Sequence, residues 1–529
     1  MGKTALLSVY DKTGIVDFAR ELNARGYRIL SSGGTFKTLS ESGITNLQEV
    51  AEYTGTPEMP GGLVKTLNPK IHAGILADRN NIAHMEYLEK IGAETIDIVA
   101  CNLYPFEEIA KKIPKSKHKD SVHPDITSNI DIGGPTMIRA AAKNCQYVYV
   151  AASPDDYQHI LAGLDNESDP KELMNNLSAK AFALTSFYDS LISNYKNYEK
   201  FPSIKTIPMK KVENAEIRYG ENPHQEAALY INSSDECKSA AMNSKQLQGK
   251  KLSYNNYLDL DAAWRFIQEY ADDMDKPMCN IVKHNNTCGA AIGKTLVDAY
   301  QKSFACDRPS AFGGIMSFNK FVDADTAYAI VKENKHFVEC IIAPGYTDEA
   351  LRIFEKKADL RILEQALPYV MPSGLAYKGI DGGILAQDRN AVLYSGLETV
   401  SETFPSYEQL GALIFAMRAC KHTKSNAIIL ARGTQVVGVG TGQQSRIDSL
   451  EIATRRMEKM NPDDMDESAP LVMASDAFFP FPDCVEYFAK HGGGAVIWPG
   501  GSKNDDDSIK MANEHQIAMV MSKIRHFTH

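Results

Sequence analysis

Residues 5–35 read ALLSVYDKTGIVDFARELNARGYRILSSGGT. The apolar runs Ala5–Tyr10 and Tyr27–Ser31 have strand character and each breaks on a polar, glycine-containing turn: Asp11-Lys12-Thr13-Gly14 after the first, Ser32-Gly33-Gly34-Thr35 after the second. Between them Ile15, Phe18, Ala19 and Leu22 recur at the three/four spacing of an amphipathic helix. Strand, helix, strand, helix predicts a parallel sheet covered by helices. Ile96–Leu103, ending at Tyr104-Pro105, reads as another buried strand of this sheet. Ligands of such sheets bind at the carboxyl ends of the strands, which puts the loops after Tyr10, Ser31 and Leu103 on one expected rim.

This pattern runs to about residue 195. Residues 196–216, polar, Lys-rich and with two prolines, read as a linker. The expected organisation is a domain over 1–197 and a second, again α/β, region over 198–529. Within the second, NIVKHNNTCGAAIG (280–293) and CKHTKSNAIILARG (420–433) resemble each other, which suggests an internal duplication with a division near 370–390.

At 529 residues the chain is too long for one core. A net charge of −10 argues against a nucleic-acid partner. The nine cysteines include no CxxC pair, which points to reduced thiols in a cytoplasmic protein. The N-terminus has too short an apolar stretch for a signal peptide and lacks the myristoylation pattern. No run approaches the roughly 20 apolar residues of a membrane span. The zinc-deaminase signature, a P-loop and a GxGxxG fingerprint are all missing from the sequence.

Several segments carry chemistry. Ser32-Gly33-Gly34-Thr35, between strand and helix, offers backbone amides to a phosphate, with Lys12 on the neighbouring loop; a plain tight turn is the bland alternative. Lys65 lies in a Gly-flanked loop, Asp131 precedes a Gly-Gly helix start, and Lys143 follows on that helix. With Tyr104 they would form a metal-free acid/base group if they converge. Further on, Ile281-Val282-Lys283-His284-Asn285-Asn286 ends a strand on an adjacent cation and imidazole. The ammonium disfavours protonation of His284, leaving a neutral base beside a cation that stabilises developing negative charge. Lys-His occurs five times in the chain, so setting rather than composition must distinguish this copy. Arg218 could hold a phosphate bidentately. Ser475–Asp483 combines aromatics with carboxylates in a way that suits a flat heterocycle, or the edge of a core.

Taken in order, SVYDKTG, SSGGTF, VKTLNPKIHAGIL, ACNLYPF, NIDIGGPTMIRAAAKN, RYGENPHQ, VKHNNTCGAA, ACDRPSAFGGI, KHTKSNAI, VGVGTGQQSRIDS, SDAFFPFPD and the terminal RHFTH resemble the bifunctional purine-biosynthesis family over nearly the whole chain. That family joins 5-aminoimidazole-4-carboxamide ribonucleotide (AICAR) formyltransferase to inosine monophosphate (IMP) cyclohydrolase. The resemblance implies an N-terminal methylglyoxal-synthase-like α/β domain and a C-terminal part of two cytidine-deaminase-like α/β subdomains. It implies 10-formyltetrahydrofolate as co-substrate, no catalytic metal, and a homodimer with formyltransferase sites at its interface. By the same match His284 is the general base of formyl transfer, Lys283 stabilises the transition state or aids the folate leaving group, and Asn426 orients. Arg218, Tyr219, Asp307, Arg446, Phe478 and Arg525 match nucleotide contacts; Ile447, Asp483, Ser502 and Lys503 match folate contacts. For ring closure Lys65, Tyr104, Asp131 and Lys143 form the proton-handling set, and Ser8, Lys12, Ser32, Gly33, Gly34, Thr35, Thr66 and Asn102 hold the nucleotide.

The chain departs from the family pattern at Leu63, where an Arg is usual, at Asn68, where a His is usual, and at Thr287 and Trp498. Loss of the Arg would weaken phosphate binding by about 1.5–3 kcal/mol unless another cation substitutes. A formyltransferase whose N-terminal domain binds nucleotide but cyclises poorly is therefore the alternative expectation.

Overall fold

The computed structural model describes residues 3–57, 59, 64–113, 123–166, 170–213, 215–234, 240–270, 275–366 and 374–529. The chain forms two compact units: Met1–Lys210 with Asn232–Ser234, and Lys211–Ile231 with Asp235–His529.

In the first unit β1 (Thr4–Leu7), α1 (Ile15–Ala24), β2 (Arg28–Ser31), α2 (Gly33–Glu41), β3 (Leu47–Glu49), α3 (Pro69–Leu76), β4 (Ile98–Ala100), α4 (Gly133–Lys143), β5 (Tyr149–Ala151) and α5 (Lys171–Lys196) follow in order. The sheet is wholly parallel, with order β3-β2-β1-β4-β5. Consecutive residues such as Leu6 and Leu7, or Ile29 and Leu30, are fully buried, as expected where both faces of a parallel sheet are covered. The expected face of α1 (Ile15, Phe18, Ala19, Leu22) is the buried one. Gly14, before α1, has φ 69°, a left-handed conformation that a side chain disfavours.

The first strand is shorter than its apolar run because Ser8–Tyr10 turn to other partners. Thr35 Oγ1 accepts from the Val9 amide at 3.0 Å and donates to the Val9 carbonyl at 2.9 Å. Asn102 Oδ1 accepts from the amides of Tyr10 and Asp11 at 2.7 and 2.9 Å. The loops after β1, β2 and β4 are thus tied together at the carboxyl edge of the sheet.

The second unit holds a 12-stranded sheet. Its elements are β6 (Lys245–Gln248), α6 (Tyr254–Gln268), β7 (Met278–Lys283), β8 (Asn286–Ile292), α7 (Leu296–Cys306), β9 (Gly314–Phe318), α8 (Ala324–Tyr328), β10 (Val338–Ala343), α9 (Asp348–Phe354) and β11 (Arg361–Glu364). A separate hairpin, β12 (Leu375–Ile380) and β13 (Gly383–Asp388), follows. The sheet resumes with β14 (Glu398–Thr399), α10 (Tyr407–Lys421), β15 (Ile428–Arg432), β16 (Gln435–Gly440), α11 (Arg446–Glu458), β17 (Leu471–Ser475), α12 (Asp483–Lys490), β18 (Ala495–Trp498), α13 (Asp505–Glu514) and β19 (Ala518–Met521).

These two runs repeat one topology. In the first, β7 is antiparallel to β8 and β9, β9, β10 and β11 are parallel, and β6 closes the edge antiparallel to β11. In the second, β15, β16, β17, β18, β19 and β14 repeat each of those relations. The halves join antiparallel through β8 and β16, at Ala291 and Gln435. The duplication is therefore present, but not in the register suggested by the paired Lys-His segments. Lys283-His284 lies at the tip of the β7–β8 hairpin, whereas Lys421-His422 ends α10. The counterpart of the 284–285 turn is Gly433-Thr434.

Lys421 and His422 are instead structural. Both contact Glu269, just past α6, at 2.6 and 3.2 Å, joining the equivalent helices of the two halves through a buried ion group. All eight described cysteines are free. No helix among the described residues is long and apolar enough to cross a membrane.

Candidate functional sites

The carboxyl edge of the first sheet gathers most of the N-terminal candidates. Gly33 opens α2 with φ 53°, and a Cβ there would lie 2.5 Å from Lys65 Nζ. A Cβ on Gly34 would lie 3.7 Å from Lys12 Nζ. Two ammonium groups therefore stand over the bare backbone of a helix N-terminus, an arrangement that suits an anion. Ser8 and Ser32 hydroxyls are 3.1 Å apart beside it.

Asp131 Oδ1 accepts from the Gly134 amide at 2.9 Å. The Asp131 backbone amide donates to Tyr188 Oη of α5 at 2.9 Å, a support that the sequence motifs do not reveal. Burial raises the Asp131 pKa, opposed by the Gly134 amide and the Lys65 ammonium. Burial, then the Asp131 charge, raises that of Tyr104. Thr66 Oγ1 would be 2.8 Å from a Cβ on Gly133, which places it against the same helix start. Lys65, Thr66, Tyr104 and Asp131 thus share a neighbourhood.

Lys143 is not brought to it: α4 has 11 residues, and at 1.5 Å per residue its exposed end lies roughly 15 Å along the helix from Asp131. Thr35 and Asn102 spend their polar atoms on the loop after β1, and are braces in this arrangement. Leu63 lies outside the described residues. Asn68 caps α3 by accepting from the Lys70 amide at 2.9 Å.

In the second unit the β7–β8 hairpin turns on His284 and Asn285, with φ 53° and 61°. Two residues with positive φ make the tight turn that matches strand twist. The Lys283 ammonium donates to the Phe312 carbonyl. The His284 side chain is exposed and makes no hydrogen bond to a described residue. Asp259 of α6, absent from the sequence candidates, accepts from the Asn285 amide at 2.6 Å.

Asn286 links this tip to the other half. Its Oδ1 accepts from the Lys424 amide and from Thr441 Oγ1, both at 2.9 Å. Two residues beyond Lys424, Asn426 Nδ2 donates to the Gln443 and Gln444 carbonyls at 2.9 and 3.1 Å, and its Oδ1 accepts from Arg446 at 2.8 Å. Arg446 is buried and also donates to Ser475 Oγ at 2.9 Å and to Asp476. Lys283, His284, Asn426 and Arg446 therefore share one end of the sheet, with Asp476 as the buried counter-charge.

The parallel strands β17, β18 and β19 deliver their carboxyl ends to that same end. Phe478 is exposed there, while Asp483 Oδ1 accepts from the Cys484 amide at 2.8 Å. Ser502 Oγ accepts from the Asn504 amide at 3.1 Å, and Asn504 Nδ2 donates to the Pro480 carbonyl at 2.7 Å, which ties the two loops together. Lys503 is exposed, and Ile447 packs partly against the core. The exposed Arg525 stacks on Phe527 at 4.6 Å. Trp498 is fully buried in β18, with its ring 6.4 Å from that of Phe479, so it is core. Thr287 is buried and donates to Asn280 at 3.1 Å.

Asp307 accepts from Ser310 and lies 3.4 Å from Arg456 Nε. Arg218 stacks on Tyr219 at 5.6 Å in a loop that reaches α6 through a 3.4 Å bond from Asn255 to the Glu221 carbonyl. Those three residues are held by these neighbours rather than by the hairpin tip.

Known proteins bear on this pair of sites. A family profile described as AICARFT/IMPCHase bienzyme matches residues 141–456, and one described as MGS-like domain matches residues 14–136. "Bifunctional purine biosynthesis protein PurH" of Persephonella marina is 45% identical over 100% of both chains. The proteins of that name from Oceanobacillus iheyensis and Oenococcus oeni are 43% and 44% identical, again over 100% of both chains. A solved structure described as "Crystal structure of ForH" aligns with 37% of this chain and 100% of that one, at 30% identity and a TM-score of 0.32. With a profile spanning more than half its length and relatives aligned end to end, the chain belongs to the AICARFT/IMPCHase bienzyme family.

Proposed function

We propose that this chain performs the last two steps of IMP synthesis. Its second unit transfers the formyl group of 10-formyltetrahydrofolate to the 5-amino group of AICAR, and its first closes formyl-AICAR to IMP with loss of water. The full-length similarity to bifunctional relatives carries this reading.

In the transfer, the AICAR amine attacks the formyl carbon while His284 takes its proton, and the tetrahydrofolate nitrogen leaves, gaining the proton that the His284 imidazolium gives back. The lone pair of the AICAR amine is delocalised into the ring and carboxamide, so the amine needs deprotonation as it attacks. Lys283, held on the Phe312 carbonyl, offers positive charge to the developing oxyanion. Arg446 acts through Asn426, which it orients. Arg218, Tyr219, Asp307, Phe478 and Arg525 are proposed nucleotide contacts; Ile447, Asp483, Ser502 and Lys503 are proposed folate contacts.

In ring closure the carboxamide nitrogen attacks the formyl carbon and its oxygen departs as water. Lys65, Tyr104 and Asp131 handle the protons, while Lys12 and the Gly33-Gly34 turn hold the phosphate; Lys143 joins the set only as a family match. The grouping of Lys65, Tyr104 and Asp131 favours a cyclising over a merely sensing first unit. The two halves of the second unit fit the cytidine-deaminase-like pair implied by the family resemblance, divided between Glu364 and Glu398. We place the enzyme in the cytoplasm as a homodimer. The β12–β13 hairpin supports the dimer, since it exposes Ile380, Ile384 and Leu385 and pairs with no other strand among the described residues.

The test is to supply AICAR and 10-formyltetrahydrofolate and follow both products. IMP should form. Accumulation of formyl-AICAR without IMP would sink the cyclising role, and no formylation would sink the transfer.

A further inference from the structure

The turn that carries His284 is strained and externally clamped. His284 occupies the left-handed region at φ 53°, which is unfavourable for a residue other than glycine. Such a conformation persists where its surroundings over-determine it. Here the Asn285 amide, next in the chain to His284, donates to Asp259 Oδ1 at 2.6 Å. On the other side, Asn286 Nδ2 donates to the His284 carbonyl at 3.0 Å. The turn is thus held at the His284 carbonyl and at the Asn285 amide, and His284 is exposed.

Asp259 belongs to α6, one turn after Asn255, which holds the Arg218 loop. A single rigid helix therefore supports both the hairpin tip and the neighbouring loop. The charged and titratable groups around the carboxylate are Lys283 and His284 of the hairpin and the buried Cys340 thiol of β10. Burial raises the Cys340 pKa far enough to keep that thiol neutral.

We infer that Asp259 is a positioning residue for formyl transfer: it clamps the 284–285 turn so that the His284 imidazole projects into the site, and supplies a negative charge beside it. This rests on the proposed role of His284 as base. Asp259 acts through the turn rather than on a reacting atom. Its effect should fall on kcat, because misplacing a reacting group by about 1 Å can cost on the order of 10²-fold.

The experiment compares Asp259→Asn, Asp259→Ala and His284→Ala in the full chain. Formyl transfer is measured against pH, and ring closure of added formyl-AICAR is measured in parallel. Asp259→Ala should lower kcat for transfer roughly 10²-fold, with KM for AICAR within about twofold. Asp259→Asn keeps one acceptor oxygen and should fall less. Removing the negative charge disfavours the imidazolium, so the acidic limb of the Asp259→Asn profile should move to lower pH. A purely structural role would not move that limb. Ring closure should match wild type in all three.

Wild-type transfer and an unmoved limb in Asp259→Asn, alongside an inactive His284→Ala, would overturn the inference while leaving the base in place. Wild-type transfer by His284→Ala would overturn both. Asp259→Asn protein that loses ring closure as well would mark general damage and overturn a positioning role. If Asp259→Ala does not fold, the Asp259→Asn profile decides.

Discussion

Arg446 and Asp476 form an ion pair withdrawn from water, with side-chain exposures of 6% and 0%. The aspartate also accepts from Ser425 Oγ at 2.6 Å, next to Asn426 in the chain. Removing one partner of such a pair strands the other in a poorly solvating interior, at a cost of about 3–5 kcal/mol. Asp476→Ala should therefore lower the thermal midpoint of the second unit's transition. Because Arg446 orients Asn426, formyl transfer should also fail at temperatures where the variant stays folded, with ring closure unaffected. Calorimetry and the two activity assays check this; an unchanged midpoint would contradict it.

The Glu269, Lys421 and His422 group predicts a pH dependence. Burial works to raise the Glu269 pKa, but the His422 and Lys421 contacts outweigh it and hold the carboxyl at about 2. An acid with a lowered folded pKa adds stability that is fully present above its unfolded value, about 4.3, and is lost as pH falls through the folded one. Glu269→Gln should thus be less stable than wild type at about pH 5, where the carboxylate is fully ionised. That margin should shrink between about pH 4.3 and 2. Urea midpoints across this range measure it, and a margin that grows on acidification would refute the assignment.

Gly134→Ala tests the first site without removing a polar group. A Cβ there would meet Asp131 Oδ2 and lie 2.9 Å from Leu103 Cδ2. The carboxylate must move, and its pKa is set by burial, which raises it, against the Gly134 amide and the Lys65 ammonium, which lower it. Ring closure should fall roughly 10²-fold, while formyl transfer stays within about twofold of wild type. Equal losses in both activities would point to misfolding instead.

Parallel-sheet alternation was legible because it is local: the burial of Ile15, Phe18, Ala19 and Leu22 follows from their spacing alone. Lys283-His284 was legible as a strand end for the same reason. Asp259 was not, because its partner Asn285 is 26 positions away and no periodicity links a helix carboxylate to a hairpin amide. Composition leaves Asp476 open as a heterocycle-binding acid or part of a core edge, since it cannot report that Arg446, 30 positions earlier, claims it. The duplication was sensed through the wrong residues. An identical dipeptide marks a hairpin tip in one half and a helix end in the other, and only strand pairing identifies the true equivalents. Lys143 shows the opposite case: the length of α4 alone separates it from Asp131.

The β12–β13 hairpin carries the last prediction. Among the described residues it pairs only with itself, in the register Leu375↔Asp388 to Ile380↔Gly383. Directly opposed residues share a face, so Ile380 and Leu385 lie on one side and Ile384 on the other, all more than half exposed. A lone two-stranded hairpin is marginal in water without a packed face, and apolar side chains on both faces call for a partner. If a second copy of the chain is that partner, Ile384→Asp and Leu385→Asp together should shift the protein from dimer to monomer in sedimentation velocity. Desolvating two carboxylates in an apolar interface would cost several kcal/mol, which works against association. Formyl transfer, proposed at the interface, should fall with dimer content, and ring closure should persist in the monomer. A double variant that remains dimeric would place the interface elsewhere.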